Sequence, residues 1–144
     1  MASPFIDPND VETLVFDWGS IKWLSEPKVT DTQRFTAGVV VLEPGKGHER
    51  HNHPGVEEIL YVISGTGEQM VEVSDGNGET QEERREVGAG MLIHIPPDVF
   101  HETMNTGWEP LKLMAIYAPP GPEDVLRGVP GVQIFPAGET PKRG

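Results

Sequence analysis

Cysteine is absent from this chain of 144 residues. That excludes disulfides, thiolate metal ligands and a cysteine nucleophile, and it leaves the redox compartment unconstrained. Positive charge is scarce, with 11 Lys and Arg against 23 Asp and Glu and a net charge of −12. The basic residues are scattered, and Arg84-Arg85, the only adjacent pair before the tail, lies inside an acidic segment. Nucleic acid and anionic membranes are therefore not expected as partners, and a heavily phosphorylated substrate is disfavoured. The sequence shows neither a basic leader with an apolar run nor a stretch suited to span a bilayer, so a soluble, cytoplasmic protein is expected. A sustained helical period and a solenoid-length repeat are missing as well.

Turn formers are plentiful instead, with 14 Pro and 17 Gly. They separate short apolar runs at 35–42, 59–63, 91–95 and 111–118, and the Asp-Gly and Asn-Gly dipeptides of 74–78 mark a hairpin. Many short strands between frequent turns indicate an all-β antiparallel barrel or sandwich. The charged segment 79–87 belongs on an edge or exposed face. Residues 1–34 read as an N-terminal arm with the first short strands and 35–118 as the barrel core. Residues 119–144 read as a short helix and a Gly/Pro-rich tail. Trp18 and Trp23 are expected to fill core, with a pocket wall as the alternative. The runs 35–42 and 59–63 are apolar on both faces and require a covering layer, either the Trp-rich arm or a second subunit. A homodimer is expected on that ground.

The chemistry concentrates in two stretches. In the first, His51 and His53 are one residue apart and project to one side if the chain is extended there. Glu57 and Glu58 follow a Pro54-Gly55 corner, which breaks the strand period and leaves either carboxylate open. In the second, His101 enters a strand just after the Pro96-Pro97 turn. Imidazoles with a carboxylate suit a borderline divalent metal.

These stretches resemble the motifs of the cupin family of small metal-binding barrels. Gly45, His51, His53, Glu58 and Gly65 carry the spacing of its first motif. Gly90, Pro96, His101 and Asn105 carry its second, with Asp98 where the family has a further glycine. Asp tolerates the left-handed conformation of such a turn better than most residues. The resemblance implies a double-stranded β-helix, or jelly-roll barrel. It also implies one divalent transition metal (Mn, Fe, Co, Ni, Cu or Zn) held by His51, His53, Glu58 and His101. The spacing to Gly65 selects Glu58 over Glu57.

Of the other histidines, His48 is expected exposed on its Gly-rich turn. His94 is expected on the opposite strand face from Ile93 and Ile95. Leu60, Met70 and Thr103 are expected to line an apolar cavity, whereas Tyr61 and Glu102 should point outward. No acid or base is apparent beyond the ligands. An enzyme acting on a small, non-phosphorylated molecule is expected, by dioxygenation or by a non-oxidative lyase, decarboxylase or isomerase step. A non-catalytic cupin binding a sugar or signal is the alternative.

Overall fold

The computed structural model describes residues 3–142. In chain order the first strands are β1 (Thr13–Phe16), β2 (Gly19–Ser25), β3 (Thr36–Leu42) and β4 (Gly47–His51). β5 (Glu57–Ser64), β6 (Thr66–Ser74), β7 (Thr80–Gly88) and β8 (Leu92–Ile95) follow. The last are β9 (His101–Met104), β10 (Leu111–Ala118) and β11 (Gln133–Phe135). Helices are short: α1 (Pro27–Thr30), α2 (Pro122–Arg127) and a 3-10 turn at Pro8–Asp10. No helix among the described residues is long and apolar enough to cross a membrane.

All pairings are antiparallel, in a seven-stranded sheet of order β11-β1-β2-β3-β10-β5-β8 and a four-stranded sheet of order β4-β9-β6-β7. This is the expected all-β jelly roll. Period-2 alternation sets the layers. On β10, Leu111, Leu113, Ala115 and Tyr117 are buried while Lys112 is exposed and Met114 and Ile116 are half-buried on the outer face. β3 does the same, and the inner faces meet in a core that includes Leu14, Trp23, Leu42 and Val62. β10 lies between β3 and β5, and its register sets Tyr117 directly opposite Glu58.

The hairpin predicted at 74–78 is present, and β7 is exposed until Val87 reaches the core. β1 and β2 extend the large sheet edgewise through β3 rather than lying over its outer face. Residues 133–135, read as tail from sequence, pair with β1 as β11. α2 is fixed by Arg127, whose guanidinium donates to Glu26 at 2.6 Å, to Glu12 at 3.0 Å and to Asp124 at 2.9 Å. Glu26 is buried, so this pairing compensates a carboxylate withdrawn from water. It also places Leu126 against the barrel core.

Candidate metal centre

β4 and β9 pair His48 with Thr103, and His51 with His101. Three steps on β4 therefore match two on β9, a bulge at Glu49 and Arg50 that absorbs one residue. Both flanking histidines consequently turn inward while Glu49 and Arg50 are exposed. His53 lies beyond the strand end, in the loop to β5. The rings of His51, His53 and His101 sit with centroids 4.2–5.4 Å apart. One nitrogen from each lies within 4.8 Å of the others, so this group could hold a metal ion.

Backbone contacts orient the rings. His51 Nδ1 donates to the Glu49 carbonyl at 2.5 Å and His101 Nδ1 to the Val99 carbonyl at 2.9 Å. Each bond fixes the tautomer and leaves Nε2 with its lone pair. Glu58 is the first inward residue of β5 and is 4% exposed, whereas Glu57 is exposed and pairs with His94 on the outer surface. Glu58 Oε1 lies 3.0 Å from His101 Nε2 and 3.6 Å from His53 Nε2. All three atoms are buried without a hydrogen-bond partner. Buried orphaned acceptors converging this closely are unfavourable unless a shared cation satisfies them, so the donor set fits a transition metal.

The electrostatics agree. Burial, then the His101 ring, lowers the His51 pKa to about 4 despite the Glu49 carbonyl. Burial with His51 and His101 takes His53 down to about 3. Neutral imidazole is the form that ligates. Burial raises the Glu58 pKa, against the opposing pull of His101 and of the Tyr117 hydroxyl that hydrogen-bonds to it. Tyr117 itself is pushed well above the usual phenol range by burial and by Glu58.

Two spaces that share part of their lining adjoin these side chains. A narrow inner chamber of about 30 Å³ is lined by Glu58, His101, Leu60, Thr103 and Tyr117 among others. A mouth of about 630 Å³ lies between the β1–β2 turn, β4 and the segment after α2. Trp18, His48, His51 and Leu126 line both. His48 is thus not the exposed turn residue expected: it is half-buried, 3.9 Å from the His51 ring and 5.5 Å from Trp18. Burial and the three other rings lower its pKa to about 3. Met70 is also misplaced by the sequence reading. It is buried under the outer ion pairs of Arg84 with Glu68 and Glu102, while its neighbour Gln69 turns inward to accept from Thr103. Trp23 is core and Trp18 is cavity wall.

The departures and matches of the second motif have structural roles. Asp98 has φ +69° and its Oδ1 accepts from Gly55 N at 2.8 Å, joining this turn to the Pro54-Gly55 corner. Asn105 is buried, donates to the carbonyls of Leu42 and Glu109, and accepts from Gly107 N.

The cupin domain family matches residues 38–117, more than half of the chain. The chain is a cupin. It is 28% identical to the polyketide synthase CurC of Streptomyces cyaneus over 84% of this chain and 73% of that protein. It is 36% identical to glucose-6-phosphate isomerase of Thermococcus kodakarensis over 54% of this chain and 43% of the isomerase. Among solved structures, it superposes on Bacillus subtilis oxalate decarboxylase, a protein with Mn(II) centres, with a TM-score of 0.63 and 27% identity. That match covers 72% of the cupin described here and 26% of the decarboxylase. The chain thus spans less than half the length of the isomerase and about a quarter of the decarboxylase.

Proposed function

We propose that His51, His53, Glu58 and His101 hold one divalent transition metal, and that this cupin is an enzyme acting on a small, non-phosphorylated keto or hydroxy compound. The reading rests on three buried, unpaired atoms that converge, His53 Nε2, Glu58 Oε1 and His101 Nε2; Glu58 and His101 also line the inner chamber. A metal of the Mn, Fe, Co, Ni, Cu or Zn series bound there would polarise a substrate oxygen as a Lewis acid. Tyr117 holds Glu58 in place, and Leu60, Leu113 and Ala115 give the inner chamber an apolar wall beside its polar groups. His48 faces the cavity beside His51, and its lowered pKa keeps it a neutral imidazole, outside the proposed ligand set, that can hydrogen-bond a substrate oxygen or hydroxyl. The step we favour is a non-oxidative lyase, decarboxylase or isomerase step, in which polarisation of a substrate oxygen by the metal needs no oxidant.

The relatives lend weight to parts of this reading. Those named a decarboxylase and an isomerase accord with non-oxidative chemistry, and the one named a polyketide synthase, matched over most of both chains, accords with a keto substrate. Phosphate is disfavoured because Lys46 and Arg50 at the mouth are offset by Asp17 and Glu49, and Arg50 already pairs with Glu72 and Glu82. The test is incubation of metal-loaded protein with hydroxy acids, keto acids and diketones while dissolved oxygen is recorded. Metal-dependent turnover without oxygen uptake is expected. Stoichiometric oxygen uptake would make it a dioxygenase, and binding without turnover would make it a sugar- or signal-binding cupin.

A homodimer belongs to the same proposal. Val39, Val41, Met114, Ile116, Ile59 and Tyr61 lie on the outer face of the large sheet; β1 and β2 extend that sheet, and of the arm Pro8 reaches the face only beside Val39 and Val41. A second copy presents the same apolar face.

A further inference from the structure

Four rings lead from the β1–β2 turn to the candidate metal centre. Phe16 and Trp18 stack nearly parallel, with centroids 4.5 Å apart and an interplanar angle of 5°. Trp18 lies 5.5 Å from His48, and His48 lies 3.9 Å from His51. Phe16 is buried in the core and supports the indole on one face. Trp18 and His48 line the mouth and the inner chamber together, so a molecule seated in the mouth with its oxygens toward the inner chamber meets both. Apolar Met104 and Leu126 contribute to the remaining wall, and the charges of the rim balance.

A wall of this kind discriminates by shape and by π character. Aromatic stacking adds to what apolar burial alone contributes, and a flat conjugated molecule has little rotamer freedom to lose on binding. We propose that the Trp18–His48 wall selects a planar, conjugated hydroxy-ketone, whose ring system lies against Trp18 while its adjacent oxygens reach the metal centre. The oxygen end rests on the metal reading given above, whereas the ring end rests on the wall alone.

The test compares two bicyclic hydroxy-ketones with the same carbon skeleton, 1-hydroxy-2-acetonaphthone and its saturated counterpart 2-acetyl-1-decalol. Affinity for the Zn-loaded full chain is measured by calorimetry after metal content has been determined. The planar compound is expected to bind roughly tenfold more tightly. Trp18→Ala and Trp18→Leu should each abolish most of that preference, Trp18→Phe should keep part, and Trp108→Ala, on an exposed turn, should keep all of it. Equal affinities in the wild type, or a preference surviving in a folded Trp18→Ala or Trp18→Leu variant, would overturn the proposal. Repeating the comparison on metal-free protein separates the two claims. A Trp18-dependent preference there supports the wall even if the metal reading fails.

Discussion

Tyr117 is the residue through which the barrel wall acts on Glu58. It stands opposite Glu58 across the β10–β5 ladder, is buried, donates to the carboxylate and lies 5.0 Å from the His53 ring. Outer partners of this kind fix ligand orientation, and their loss typically weakens metal binding by about 10–100-fold. Tyr117→Phe keeps the packing and removes the hydroxyl, so metal affinity in a chelator competition should fall by that order. Glu57→Ala, on the outer surface, should leave it unchanged. His51, His53, Glu58 and His101 were legible as a group through the likeness of their spacing to the cupin motifs, whereas strand parity by itself left Glu57 and Glu58 open. His48 was not legible, since its inward turn depends on a bulge decided by how β4 pairs with β9. Tyr117 was hidden for a related reason: only the register of β10 on β5 sets it against Glu58.

Among the elements, the turns and α2 carry the clearest consequences. Gly65 has φ +89°, and a Cβ there would meet the Pro110 carbonyl oxygen at 2.6 Å. Gly90 has φ +92° but faces open space. Gly90→Ala should therefore cost about 1 kcal/mol from backbone strain alone. Gly65→Ala should cost clearly more in urea denaturation, because backbone must also move. α2 depends on Arg127, and Arg127→Ala leaves the buried Glu26 without its partner, a loss of about 3 kcal/mol. Adding Glu26→Gln should restore part of that stability. Strands were readable from alternation, yet alternation does not say which face is inward. Met70 shows this, because ion pairs of Arg84 cover it and both faces of β6 look buried.

At the scale of the molecule, the jelly roll leaves an apolar outer face on its larger sheet and gathers His51, His53 and His101 in a group that could hold a metal inside. Tyr61 and Leu92 are opposite each other on β5 and β8 and remain 43% and 57% exposed. We place the proposed dimer contact at these exposed apolar neighbours. Light scattering at micromolar concentration should give twice the 15.8 kDa chain mass, and Tyr61→Glu should shift it toward monomer. The central claim is the metal, and elemental analysis tests it most directly. Protein purified without chelator, or reconstituted with Mn, Fe, Ni, Cu or Zn, should hold about one ion per chain. His101→Ala should lose it while keeping the fold by circular dichroism. A wild-type protein that refuses every one of these metals, or a His101→Ala variant with undiminished metal content, would contradict the account.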